Sequence, residues 1–256
     1  MEHLKMGGIG FAAGQWPLDS EKLSLIFIHG AASNNGFWKS QLNYFSETIN
    51  AIAIDLPGHG TSQSPGKEKI SDYADAVLDF IDLIQAPRPI PCGLSMGGAI
   101  TQQLLLSHKD RFPAGILINT GARLKVLPLV FETIEKDYGN FEEMLFTFVI
   151  AEKNSTEKLR AEIKACTISQ SAIASGDFRA CNDFNAMDKL GVIQVPVLVL
   201  TATDDMLTPV KYGSFLANNI KNAELVTIQD AGHFSPMEKP LEVNLAINDF
   251  LTRNIL

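Results

Sequence analysis

The sequence has little of what marks several specialised classes of protein. Only three cysteines, Cys92, Cys166 and Cys181, occur in 256 residues. Their odd number and the lack of CxxC spacing argue against a disulfide framework and a thiolate zinc site, and a reducing, cytoplasmic setting is the expectation. No cluster of Lys and Arg interrupts a chain of net charge −8. That distribution argues against a nucleic-acid or anionic-membrane partner. No run approaches the roughly 18 consecutive apolar residues that read as a membrane span. The first residues, "MEHLKMGGIGFAAGQW", hold no apolar core of the length a secretory signal carries, and His3 is expected in a mobile terminus. Internal repeats and low-complexity tracts are missing as well.

What is present describes an ordinary globular chain, 46% hydrophobic and 20% charged, long enough for one sizeable core. Short runs rich in Ile, Val and Leu fall at residues 23–28, 51–54, 90–92, 115–118, 195–200 and 225–228. Their hydrophobicity is continuous rather than alternating, which predicts strands buried on both faces and hence a mostly parallel central sheet flanked by helices. Ile70, Tyr73, Ala74, Val77, Ile81 and Ile84 mark one helix face. Val243, Ala246, Ile247, Phe250 and Leu251 mark another, with Pro240 suited to its first turn. From residue 123 to 187 no strand is legible, only helical stretches such as "FEEMLFTFVIAEK". We therefore expect an α/β core in residues 1–122 and 188–256 and a small helical lid in residues 123–187; the alternative is that these helices belong to the common core.

The stretch "CGLSMGG" places Ser95 between Gly93 and Gly97, directly after an apolar run. A strand that turns there into a helix lifts the hydroxyl above the sheet edge, beside unpaired N–H groups of the helix start. The pattern alone is weak, and a serine that merely caps the helix is the plain alternative. A nucleophilic serine needs a base and an orienting acid. Of five histidines, His108 reads as surface, and His29 and His59 as turn builders. His233 follows the run "AELVTI" in a glycine-containing loop, at the sheet end where Ser95 emerges if the strands run parallel. Asp204 and Asp205 lie just beyond the carboxyl end of "PVLVL", where catalytic groups of open α/β sheets gather.

These residues together resemble the α/β-hydrolase fold, over nearly the whole chain apart from residues 123–187. The likeness rests on the elbow Gly93-Leu94-Ser95-Met96-Gly97, on "FIHGAAS", "DLPGHGTS", "DDMLTP" and "AGHFSPMEKP", and on the chain order Ser, Asp, His. The resemblance implies Ser95 as nucleophile and His233 as general base. It selects Asp205, four residues before Pro209, over Asp204 as the orienting acid. It also implies an oxyanion hole made of the Ala31 and Met96 backbone N–H groups. Leu94 stands where many relatives have His, and Thr201 and Ala202 where they often have glycine. Pro91 lacks a ladder donor, so the strand before the elbow is expected to be short or irregular there.

The implied reaction is acyl transfer to water on a Ser-His-Asp triad, with no metal or organic cofactor. Small carboxylic esters are the expected substrates and a carboxylesterase the first reading. A lactonase is the second, because "CGLSMGG" and "INTGAR" are like enol-lactone hydrolases. Carbon–carbon bond hydrolysis and a non-catalytic ligand receptor are further alternatives. Met144, Leu145, Phe146, Phe148 and Val149 are candidates to line an apolar acyl pocket.

Overall fold

Within the third strand of the chain, Leu25 and Phe27 pack into one hydrophobic cluster while Ile26 and Ile28 pack into another. The same division separates Ala51 and Ala53 from Ile52 and Ile54. Successive side chains of a strand point to opposite faces, so runs without polar residues require helices on both sides of the sheet. The computed structural model describes residues 1–63, 65–168 and 170–256. The strands are β1 (Glu2–Met6), β2 (Ile9–Ala13), β3 (Ser24–Ile28), β4 (Asn50–Ile54), β5 (Pro89–Leu94), β6 (Gly115–Ile118), β7 (Val197–Ala202) and β8 (Ala223–Ile228). They form one eight-stranded sheet in the order β1-β2-β4-β3-β5-β6-β7-β8. From β4 to β8 every pairing is parallel; the β1–β2 and β2–β4 pairings are antiparallel, so that β2 alone runs against the other strands.

The helices α1 (Lys39–Phe45), α2 (Ile70–Leu83) and α3 (Met96–Ser107) follow β3, β4 and β5. Between β6 and β7 come α4 (Pro128–Lys136), α5 (Tyr138–Val149), α6 (Glu157–Ala165) and α7 (Ser171–Asp183). The chain ends with α8 (Val210–Asn219), the short α9 (Ser235–Glu238) and α10 (Pro240–Asn254). One sheet face is covered by apolar side chains of α2, α3 and α8, the other by those of α1 and α10. The periodic residues Ile70, Tyr73, Val77 and Ile81 of α2 are all buried, as are Val243, Ile247, Phe250 and Leu251 of α10.

Two expectations are corrected. The N-terminus is built into the sheet rather than left as a loose tail: β1 and β2 form a hairpin in which His3 pairs with Ala12. Its two-residue turn is Gly7-Gly8, with φ of +57° and +81°, the left-handed conformation that such hairpins demand and glycine adopts at least cost. Nor is the strand before the elbow short: β5 spans six residues with Pro91 inside it, in register with Ile26. Ser24 N–H donates to Arg88 O and Ser95 N–H to Ile118 O, so alternate residues of β5 turn to β3 and to β6. Pro89 and Pro91 both fall on the β6 side. The β5–β6 ladder begins only at Cys92, so neither missing N–H interrupts it.

Residues 123–187 contribute no strand to the sheet among the described residues. Their helices carry two small apolar clusters of their own. One includes Ile134, Phe141, Ile168 and Ala174 and closes on Ala32, in the loop after β3. The other includes Phe146, Val149, Leu159 and Ile163, with Phe234 and Met237 packed against it. These clusters rest on the loops at the carboxyl ends of β3 and β8, while Ala180 and Cys181 of α7 join the main core cluster with side chains of α2 and α3.

Candidate active site

The turn from β5 into α3 is built by close backbone contact. A Cβ on Gly93 would overlap the Gly97 carbonyl, and one on Gly97 would overlap the Ile28 carbonyl. Ser95 between them holds φ +54° and ψ −114°, a conformation that L-residues avoid and that costs on the order of 1–3 kcal/mol. Ser95 is no helix cap in the hydrogen-bonding sense, because its side chain accepts nothing from the first turn of α3. Its own carbonyl accepts a 2.7 Å bond from Thr120 Oγ1.

His233 and Asp205 meet at the carboxyl ends of β7 and β8. His233 Nδ1 lies 2.9 Å from Asp205 Oδ2 and 3.1 Å from Oδ1, and both residues are buried. The carboxylate also accepts from the Leu207 and Thr208 N–H groups, each at 2.9 Å, and from Thr208 Oγ1 at 2.7 Å. Burial works to raise the Asp205 pKa. The facing His233 and the Thr208 bonds outweigh it and hold the carboxyl below its ordinary range. Asp204 turns elsewhere, to an ion pair with Lys153 at 3.3 Å.

Ser95, His233, Gly30 and Ala31 line one cavity of about 180 Å³. Met144, Leu145, Phe146, Phe148 and Val149 of α5 line it too. The sequence reading missed Phe141, Ile163 and Phe178, which add apolar wall from α5, α6 and α7. Glu142 and Lys164 are its charged lining residues. Among the described residues no direct hydrogen bond joins the side chains of Ser95 and His233. Met96 opens α3, so its N–H is among those a helix leaves without an internal acceptor. The Ala31 N–H has no acceptor among the described residues.

The loops that carry these groups are braced by Asn119 and Thr120, whose role the sequence did not reveal, and by His29, which the sequence presented as a turn builder. Asn119 Nδ2 donates to the carbonyls of Gly232 (3.2 Å) and His233 (2.7 Å) and to Ser235 Oγ (2.9 Å). With Thr120 on Ser95, the Asn119-Thr120 pair after β6 ties the serine turn to the histidine loop. His29 is fully buried, and its Nε2 accepts from Leu56 N–H at 3.2 Å. Nδ1 therefore carries the proton and donates to Gly30 O at 2.8 Å. Burial, and then the neighbouring His59, lower the His29 pKa to about 3, which keeps the ring neutral. The peptide whose carbonyl His29 holds is the one that presents the Ala31 N–H.

The three thiols are free and buried, and burial raises the pKa of each, that of Cys166 to about 12, so none is a competing nucleophile. Among the described residues no three His, Cys, Asp or Glu side chains group as a metal site would need, and no helix is long and apolar enough to cross a membrane.

Comparison with known proteins agrees with this architecture. Residues 25–246 match the alpha/beta hydrolase family. The chain is 27% identical over 250 residues to 3-oxoadipate enol-lactonase 2 of Acinetobacter baylyi, covering 91% of this chain and 90% of that protein. It superposes with a TM-score of 0.82 and 28% identity on an enzyme that degrades N-acyl homoserine lactones, covering 97% of this chain and 100% of the other. The enol-lactonase of Burkholderia xenovorans LB400, 22% identical, shares the fold with a TM-score of 0.88 over 98% of this chain and 100% of its own. A family match across most of the chain, an elbow serine and a sheet of this order lead to one assignment: the protein is a member of the alpha/beta hydrolase family.

Proposed function

We propose that this hydrolase cleaves small, uncharged carboxylic esters through an acyl-enzyme carried on Ser95. The observation that carries the reading is that the strained Ser95 and the Asp205-paired His233 open on one apolar cavity. His233 Nδ1 is held by the carboxylate, which leaves Nε2 to take the serine proton once substrate closes the remaining gap; such contacts are often loose in the free enzyme. Ser95 Oγ attacks the carbonyl, and the Ala31 and Met96 amides hold the oxyanion. His233 then protonates the leaving alcohol, and water repeats the sequence to release the acid.

Residues 123–187 act as the lid whose α5 supplies the acyl wall. A dry apolar cavity of about 150 Å³ is enough for benzene, so one of about 180 Å³ suits an acyl group of roughly six to eight carbons. Hydrolysis of a lactone is the second reading, supported by the relatives named for enol-lactone and acyl homoserine lactone chemistry. The lining favours neutral substrates over a lactone bearing a carboxylate, because its one cation, Lys164, is exposed and shares the lining with Glu142.

The test is a p-nitrophenyl ester series of increasing acyl length, run beside enol-lactone and acyl homoserine lactone panels, with wild type and Ser95→Ala. Turnover that peaks at medium acyl length and disappears in the variant supports the reading. A preference for lactones transfers it to the second reading. Ligand binding without turnover in either protein would overturn both.

A further inference from the structure

A second buried histidine–aspartate pair lies outside the catalytic one. Asp177 projects from α7, within the segment between β6 and β7, and is fully buried. Its Oδ2 accepts from His59 Nε2 and from the Ala32 backbone N–H, both at 2.8 Å, and its Oδ1 accepts from Tyr73 Oη at 2.5 Å. Tyr73 Oη in turn accepts from Lys67 N–H at 3.0 Å. A carboxylate removed from water needs such a set of donors. His59 sits where burial would lower its pKa, yet the charge and hydrogen bond of Asp177 raise it above the ordinary value.

Its bond to Ala32 is more than charge compensation. Ala32 holds φ +56°, left-handed backbone that alanine adopts only when its surroundings impose it. The preceding residue is Ala31, which lines the cavity together with Ser95 and whose N–H has no acceptor among the described residues. His29 fixes the carbonyl on one side of that amide, and Asp177 fixes the next N–H on the other. A hydrogen bond from Ile168 N–H to Ala32 O, 3.0 Å long, completes the hold on this turn.

We propose that Asp177 is a positioning residue for the oxyanion hole: from α7 it clamps the strained Ala32 peptide and so aims the Ala31 N–H at the reacting carbonyl. The proposal rests on the ester-hydrolase reading above. Asp177 touches neither substrate nor Ser95. Its contribution appears where negative charge develops on oxygen, in kcat rather than in ground-state binding.

Two variants test it. Asp177→Asn removes the charge. Asp177→Glu keeps the charge that His59 needs but shifts the oxygens by one methylene, so it guards against loss of the fold. Active sites are titrated with a fluorophosphonate, and kcat, KM and the affinity for a trifluoromethyl ketone are measured per titrated site. The expected result in both variants is a loss of roughly 10- to 100-fold in kcat with KM within about threefold, since loss of a whole oxyanion donor costs about 10²–10³. Ketone affinity should fall in parallel, and Ala32→Gly, which relaxes the left-handed position, should restore part of the rate to Asp177→Glu. A lowered unfolding midpoint with unchanged kcat per titrated site would overturn the proposal and leave Asp177 as a brace of the fold. The backbone amide NMR signals of Ala31 and Ala32 supply an arm that needs no turnover: they must shift and exchange faster in Asp177→Glu. If they do not, the clamp fails even in a protein shown to hydrolyse esters. If they do, and wild type hydrolyses nothing, the clamp stands and the ester-hydrolase reading falls.

Discussion

His233 and His59 each meet a buried aspartate, at 2.9 and 2.8 Å, and differ in what is left of the ring. His233 spends Nδ1 on Asp205 and keeps Nε2 for the cavity. His59 spends Nε2 on Asp177 and Nδ1 on the Pro57 carbonyl at 3.0 Å, so no nitrogen remains to receive a proton from a substrate. The pairs also sit differently in the sheet. Asp205 and His233 come from loops at neighbouring strand ends, whereas His59 and Asp177 join the loop after β4 to a helix inserted between β6 and β7. One pair can shuttle a proton, and the other can only hold backbone in place. A histidine–aspartate contact therefore says nothing of catalysis until both ring nitrogens have been traced.

Substitution is the most direct way to break that comparison. Ser95→Ala and His233→Ala should each lower kcat on the order of 10⁶-fold; the urea unfolding midpoint should stay near that of wild type in Ser95→Ala and fall in His233→Ala, which leaves the buried Asp205 carboxylate without its partner. Asp205→Asn, which permits the wrong tautomer of His233, should cost about 10⁴ in kcat. Titration sharpens the contrast next. His29 has its pKa lowered from 6.5 to about 3, so the folded state binds fewer protons than the unfolded chain between those values. Stability should therefore fall as the pH drops from 6.5 towards 3, by on the order of 4–5 kcal/mol for this one ring. Asp205, with its carboxyl depressed, adds a loss at still more acid pH. His59 has the opposite sign: its raised pKa gives a contribution intact below its unfolded value and lost as the pH rises through the folded one. Urea unfolding across pH checks this, and His29→Gln should flatten the acid limb.

His59→Ala leaves the Asp177 charge without its partner and should destabilise the fold by about 3–5 kcal/mol, read from the same urea curves. The smallest effect expected is that of Thr208→Val. It deletes the 2.7 Å bond to Asp205 Oδ2, worth about 1 kcal/mol, and should lower kcat by up to about tenfold with KM unchanged.

Much of the site could be read because its signals are local. Ser95 announces itself through Gly93 and Gly97, and the parallel sheet through apolar runs with no polar alternation. The Asp205 turn was within reach, since an aspartate side chain commonly accepts from the backbone two residues on, here Leu207 N–H, whereas the Thr208 hydroxyl bond has no such signal. Asn119 and Asp177 were not. The first bonds partners 113 to 116 residues away and the second partners up to 145 residues away, and nothing beside them in the chain marks those contacts. The β1–β2 hairpin escaped the sequence reading although Gly7-Gly8 suits a tight hairpin turn, because its edge strand, Glu2–Met6, is short, mostly exposed and mostly polar. Pro91 misled because its effect depends on which neighbour its missing N–H would have faced, a matter of register that composition does not carry.

Asp177 also constrains how this enzyme could be re-engineered. Exchanging residues 123–187 for the corresponding segment of another hydrolase would import new pocket walls, but it would also take away the acid that reaches Ala32. A chimera of that kind should inherit the donor's selectivity and lose speed unless the graft brings a carboxylate to the same spot. On the proposed reading, choice of substrate and rate of reaction travel on one segment, and neither is transplanted without the other.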